Sequence, residues 1–255
     1  MEVISSKSND IIKYAVGLKD KKHCIKSGEC LVESEKVVHD LIKNNKMIST
    51  LLVNEKKRDR YEYITNSFTR RVVYITDALS DYLCDTVTSS GIFAFVKTPK
   101  NTLKKGNFIV LENLQDPSNL GAIIRSARAF NYNNIIMIGG VFPYNYKVIR
   151  SSMGYVFDVN IVEMTYDELD EFIKGNNMLL YCADMDGFDV CDTPSTSCNY
   201  GFVIGNEGNG VSLQMKNMCN SVLSIPMQNN VESLNASVSA SIMMYMLNKI
   251  NKEKK

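Results

Sequence analysis

The chain carries almost no net charge, very little histidine and no long apolar run, and each shortage narrows the field. Its formal net charge is +1 over 255 residues, which by itself argues neither for nor against a nucleic-acid partner. No stretch approaches the roughly 18 apolar residues of a spanning helix. The opening Met1 to Asp10, with Glu2 and Asp10, has no apolar run of leader length, so a cytoplasmic protein without a membrane anchor is expected. His23 and His39 are the only histidines, and the seven cysteines, at 24, 30, 84, 182, 191, 198 and 219, form no C-x-x-C pair. That pattern predicts reduced thiols in a reducing compartment, with neither a disulfide framework nor a metal site. Internal repeats and low-complexity tracts are missing too, which excludes a solenoid.

What is present is ordinary folding material: 45% hydrophobic and 22% charged residues, enough for a buried core in one large or two modest domains. Charge is unevenly placed. Residues 1–100 hold 17 Lys and Arg against 13 Asp and Glu, a balance of +4, and the remainder hold 12 against 15, a balance of −3. Local clusters lie at Lys19, Lys21, Lys22, Lys26 and at Lys56, Lys57, Arg58, Arg60, Arg70, Arg71. Phosphate attraction and a merely solvated surface explain such clusters equally well.

The stretch Lys97 to Gly106, KTPKNTLKKG, reads as an exposed linker and divides the chain into residues 1–97 and 106–255. Before it, short apolar runs (Cys30 to Val32, Ile48 to Val53, Val72 to Ile75, Ile92 to Val96) alternate with helical patterns near 10–22, 35–44, 57–67 and 77–85, giving a small α/β unit. After it come stronger strands at Phe108 to Leu111, Ile135 to Ile138, Met178 to Cys182, Phe202 to Ile204 and Val222 to Ile225. Near-continuous apolar runs of this kind fit a mostly parallel sheet covered on both faces. A final helix over 235–248 puts Val238, Ile242, Tyr245, Met246 and Leu247 on one stripe, for the core or for a dimer interface.

Ligands of open α/β sheets sit beyond the carboxyl ends of strands, so the loops there carry the chemistry. Three stand out. In ENLQDPSNLGAIIRSARAF, Asn119 falls near a helix N-terminus, with Arg125 and Arg128 three residues apart farther along; helix capping and solvated arginines are the plain alternative. In VIGNEGNGVS, glycines 205, 208 and 210 surround Asn206, Glu207 and Asn209, a spacing that is neither G-x-G-x-x-G nor a P-loop. In SIPMQNNVESLNASVSASIMMYML, a strand end at Ile225 and Pro226 leads through Ser233, Leu234, Asn235 and Ala236 into the last helix.

Together these segments resemble the three motifs of the TrmH/SpoU family of the SPOUT methyltransferases, in order, spacing and content: DPSNLGAIIRSA, IGNEGNGVS and IPMQNNVESLNASVSASI. The first hundred residues look like the substrate-binding domain of members acting on ribosomal RNA, through ISSKSNDIIKYAVGLKDKKH and GECLVESEKVVHDLI, with Ser34 where many relatives have glycine. The resemblance implies a small α/β domain of the ribosomal-protein L30e/L7Ae-like type, followed by a SPOUT α/β domain with a deep trefoil knot. It also implies a homodimer formed through the knotted domain, and S-adenosylmethionine as cofactor. The implied reaction is methylation of a ribose 2′-hydroxyl in RNA, and the two-domain layout leans toward large-subunit ribosomal RNA over transfer RNA.

By the same resemblance the cofactor lies against Ala183, Asp184, Ile204, Gly205, Glu207, Ile225, Met227, Ser233, Leu234 and Ala236, and the catalytic set is Asn119, Arg125, Glu207, Ser233 and Asn235. Arg125 matches the family's essential arginine. Because a guanidinium stays charged, it suits an RNA phosphate and a developing alkoxide better than it suits proton abstraction. Two rivals are weighed against this: an RNA-binding protein that kept the knot without the reaction, and a metabolic nucleotide-binding enzyme. The second lacks a phosphate fingerprint.

Overall fold

The computed structural model describes residues 3–85, 88–228 and 232–252. Residues 229–231 of the third motif lie outside them. The chain divides into two compact units: residues up to Pro99 with Tyr144–Gly154, and Lys100–Pro143 with the residues from Tyr155 onward.

The first unit runs β1 (Val3–Ile4), α1 (Asp10–Gly17), α2 (Lys21–Ser27), β2 (Glu29–Glu33), α3 (Glu35–Lys43), β3 (Ile48–Asn54), α4 (Glu62–Ser67), β4 (Arg71–Ile75), α5 (Asp77–Leu83) and β5 (Ile92–Lys97). The sheet order is β1-β4-β3-β5-β2, with β5 antiparallel to both neighbours and the other pairs parallel. Its core joins Ile12, Ala15, Leu18, Leu31, Leu52, Ile75, Leu79, Leu83, Phe93 and Phe95. The helix expected over 10–22 is two helices. The first stops at Gly17, and Asp20 caps the second by accepting from the His23 N–H at 3.1 Å. The helix expected over 57–67 is α only from Glu62, after two 3-10 turns. Asn54 caps the first of these turns, accepting from the Lys56 N–H at 3.0 Å.

The rest of the chain runs β6 (Phe108–Glu112), α6 (Pro117–Ala129), β7 (Asn134–Ile138), α7 (Tyr146–Ser151), β8 (Asn160–Glu163), α8 (Tyr166–Gly175), β9 (Leu179–Asp189), β10 (Tyr200–Ile204), α9 (Leu213–Met218), β11 (Ser221–Ser224) and α10 (Ala236–Lys252). In chain order α7 falls here, yet its segment belongs to the first unit, where it lies against β2. The linker reading predicts one uninterrupted domain after Gly106, and this excursion departs from it.

The second unit's sheet is ordered β11-β9-β10-β6-β7-β8 and every pairing is parallel. Strands β6, β7 and β10 are buried along their whole length, which explains their unbroken apolar runs. Phe108, Val110, Ile136, Ile138, Leu180 and Val203 pack with Leu169 and Ile173 of α8 and with Met215 of α9. Helix α10 packs on α6, where the Ser126 and Ser241 hydroxyls meet at 2.7 Å. Helix α10 has Leu247 alone in common between the apolar stripe read from the sequence and its core face, with Ile242 and Met246 half-buried. Its buried face is Ala240, Met243, Met244 and Leu247, whereas Val238 and Tyr245 are 45% and 54% exposed. Among the described residues no helix is long and apolar enough to cross a membrane.

Candidate active site

Because all six strands of the second sheet run one way, the segments leaving β6, β9, β10 and β11 emerge at a single edge. After β6, Asp116 caps α6, accepting from the Ser118 N–H at 2.7 Å, and Pro117 takes the first helical position, where its missing N–H costs nothing. Asn119 is therefore not the cap. It is buried, with its side chain free to bridge loops.

Glu207, in the glycine-rich loop after β10, accepts from the backbone N–H of Asp116 at 2.9 Å and of Gln115 at 3.1 Å, and from Asn119 Nδ2 at 3.1 Å. Asn119 Oδ1 in turn accepts from Asn235 Nδ2 at 2.9 Å, and Asn235 Oδ1 accepts from the Ser237 N–H at 2.9 Å, capping α10. One hydrogen-bonded chain thus ties the three polar loops together. Partial burial pushes the Glu207 carboxyl upward, but the Asp116 N–H, the Asn119 amide and the Gln115 N–H outweigh it and hold the group below its ordinary range, so it is ionised.

The glycine-rich loop folds back on itself through a bridge between Asn206 and Gly210, and Asn206 Oδ1 accepts from the N–H groups of Gly208 and Asn209 at 2.9 and 3.1 Å. Gly205 is required by space: a Cβ there would lie 2.1 Å from the Gly210 carbonyl carbon. The β9 segment contributes by leaving the ladder. Val222 pairs with Cys182 but Leu223 pairs with Phe188, so Ala183 to Gly187 bulge out of register with β11. Asp184, at that bulge, is bridged by Lys216 of α9 at 2.6 Å. Burial raises the Asp184 carboxyl, and the Lys216 hydrogen bond with the Asp186 N–H overrides this to hold it low.

These segments enclose a cavity of about 580 Å³. All ten residues expected to hold the cofactor line it, from Ala183 and Asp184 through Ile204, Gly205 and Glu207 to Ile225, Met227, Ser233, Leu234 and Ala236, as does Asn235. Asn119 stands behind the lining, joined to Glu207 and Asn235. Arg125 is not brought to this group: it lies exposed on α6, outside the lining, with no ion pair or hydrogen bond among the described residues. The lining also includes Asp184, Glu207 and Glu232 and no Lys or Arg, beside the apolar Ile204, Leu223, Ile225 and Leu234. That chemistry fits S-adenosylmethionine, whose flat adenine wants apolar walls and whose sulfonium and ammonium groups want negative charge.

Residues 106–245 match the model of the SpoU rRNA Methylase family. The chain belongs to this family. A second model, the MRM3-like substrate binding domain, matches residues 9–94 of this SpoU methylase. Among curated relatives, the 23S rRNA (guanosine(2553)-2′-O)-methyltransferase RlmP of Bacillus subtilis is 27% identical over 97% of this chain and 99% of its own. A crystal structure described as an RNA 2′-O ribose methyltransferase superposes with a TM-score of 0.83 at 25% identity, covering 98% of this SpoU methylase and 99% of that chain. The AdoMet-bound rRNA methyltransferase from Sinorhizobium meliloti shares the fold, with a TM-score of 0.86 at 20% identity, over 97% of each chain.

The sequence reading of this SpoU methylase passed over Glu112. Buried at the end of β6, its carboxylate accepts from Tyr166 Oη at 2.6 Å, from Ser212 Oγ at 2.5 Å and from the Ser212 N–H at 2.8 Å, anchoring the exit of the glycine-rich loop. The signal was there: a glutamate closing the apolar run FIVLE of a doubly covered strand needs buried partners.

Proposed function

We propose that this protein transfers a methyl group to a ribose 2′-hydroxyl of RNA, with large-subunit ribosomal RNA as substrate and S-adenosylmethionine held in the 580 Å³ cavity. The observation that carries this reading is the Glu207–Asn119–Asn235 chain, which closes three family motifs round one apolar and acidic cavity. The names of the Bacillus subtilis and Sinorhizobium meliloti proteins support the reaction and the substrate class.

The bound cofactor supplies an already activated methyl group. What remains for the chain is alignment of the hydroxyl and management of one proton. Ala183, Ile204, Gly205, Ile225, Met227, Leu234 and Ala236 would hold the cofactor together with Asp184, Glu207 and Ser233, whose polar groups would meet its charged ones. Asn119 and Asn235 are positioning residues that fix the loops. Arg125, exposed and unpaired among the described residues, grips the phosphate beside the target ribose and steadies the developing alkoxide. The first unit selects the RNA. The chain works as a cytoplasmic homodimer through the second unit, which the exposed Val238 and Tyr245 on α10 support, and that unit carries a deep trefoil knot.

Radiolabelled methyl transfer to ribosomal RNA from a strain lacking the gene, followed by mapping of ribose methylation, tests the proposal. Incorporation at a single 2′-position in large-subunit RNA is expected. Binding of S-adenosylhomocysteine without any transfer would instead favour an RNA-binding protein that retains the cofactor site.

A further inference from the structure

The first unit encloses a cavity of its own, about 620 Å³ in volume, that methyl transfer does not use. Two tyrosines, Tyr63 and Tyr146, line it, and His39 meets the Tyr63 ring edge-on with centroids 5.5 Å apart. Three carboxylates face it as well, and each is already held. Glu33 accepts from the Ser90 N–H at 3.2 Å, Glu35 from Arg60 Nε at 3.1 Å and Tyr63 Oη at 3.0 Å, and Asp85 from Lys19 Nζ at 3.0 Å.

Two cations of the same lining are not held. Lys36, in the first turn of α3, and Arg150, on α7, make no ion pair among the described residues. With their partners included, Lys19, Arg60, Lys36 and Arg150 face Glu33, Glu35 and Asp85, so the uncommitted charge is positive. Uncommitted cations beside aromatic faces in a concave site suit a phosphate joined to a planar base, and the volume lies within the range of about 300–1,000 Å³ of ligand pockets.

We propose that this cavity binds a single nucleotide of the RNA substrate, its phosphate at Lys36 and Arg150 and its base against Tyr63 and Tyr146, as an anchoring point additional to the methyl-transfer site. The proposal rests on RNA being the substrate. A free nucleoside monophosphate has the same recognition chemistry, and the experiment separates the two sources.

The full-length protein, its Lys36→Ala/Arg150→Ala variant and its Tyr146→Leu variant are titrated with fragments of deproteinised ribosomal RNA at several salt concentrations, and separately with GMP. The double variant binds RNA about tenfold more weakly, and its plot of log affinity against log salt is shallower by about 0.7, the value for one phosphate no longer neutralised. Tyr146→Leu weakens RNA binding with the slope unchanged, which keeps the proposal testable should the double variant melt early. Calorimetry with S-adenosylhomocysteine gives wild-type affinity for both. RNA affinity and slope equal to wild type in both variants would overturn the assignment, and so would GMP bound at this cavity that RNA does not displace. RNA binding that depends on Lys36 and Arg150 in a wild-type protein that transfers no methyl group would leave the cavity assigned and remove the methyl-transfer reading alone.

Discussion

Ser34 sits at φ 153° and ψ 127°, a region that side chains with a Cβ adopt only under strain of about 1–3 kcal/mol. Its hydroxyl caps α3 at a long 3.4 Å from the Val37 N–H, and replacing a serine cap by glycine costs only a few tenths of a kcal/mol. Ser34→Gly is therefore expected to stabilise the protein by about 1 kcal/mol and raise the melting temperature by about 2–4 °C; an unchanged or lower melting point would mean that the cap outweighs the strain. At Glu207 the effect depends on pH. Its carboxyl is held below the usual value of 4.5 in the folded protein, so its contribution is complete above that value and is lost as pH falls through the lowered one. Glu207→Gln should flatten that acid limb of the stability curve. At neutral pH it should weaken S-adenosylhomocysteine binding about tenfold or more, since an amide offers one acceptor where three donors converge. Calorimetry showing wild-type affinity would reduce Glu207 to a bystander. For Arg125, Arg125→Lys should lower turnover with RNA about tenfold while leaving cofactor affinity alone, because an ammonium lacks the two-pronged donor geometry; near-normal turnover would remove the phosphate role.

At the scale of elements, Gly205→Ala should cost cofactor affinity at least about tenfold by calorimetry, because a Cβ 2.1 Å from the Gly210 carbonyl carbon forces the whole 205–210 turn to move. Full affinity would show that the turn yields. Such space requirements mark what the sequence could and could not convey. The strands were legible because burial on both faces leaves runs such as FIVL and IIMI with no polar interruption. The polar loops were legible as a set through their order and content. What periodicity could not convey was which loop residue meets which: Asn119 reads as a cap until Asp116 is seen to hold that place. Nor could it convey the departure of Ala183 to Gly187 from the ladder, which depends on how β11 pairs with β9. The core face of α10 was only partly legible because the apolar run from Ile242 to Leu247 satisfies more than one helical stripe, and packing on α6 selects Ala240, Met243, Met244 and Leu247.

At the scale of the whole molecule, four of the six cations in the cluster from Lys56 to Arg71 are held by partners within the first unit. Lys56 is bound to Asp77 at 2.7 Å, Lys57 donates to the Ser89 carbonyl at 2.7 Å, Arg60 to Glu35, and Arg70 to the Ile48 carbonyl at 2.8 Å. Charge counting left that cluster open between a phosphate surface and a solvated one, and internal pairing leaves fewer of its cations for phosphate. The segment Tyr144–Gly154 also limits how the RNA-selecting role can be tested: Val148, Ile149 and Ser152 are buried within the first unit, so removing residues 1–99 bares them. The remnant is expected to bind a hydrophobic dye and to aggregate on storage, and a monodisperse, dye-free remnant would show that the segment does not need its cover. The strand order of the second sheet bears on synthesis as well. Phe108 pairs with Gly201, so β6 must wait for a neighbour 93 residues downstream, which at about 5–20 residues per second is roughly 5–19 s of elongation. For that interval an uncovered strand edge trails from the ribosome, and ribosome-held chains ending before Tyr200 should be cut by added protease within the β6 half of the sheet.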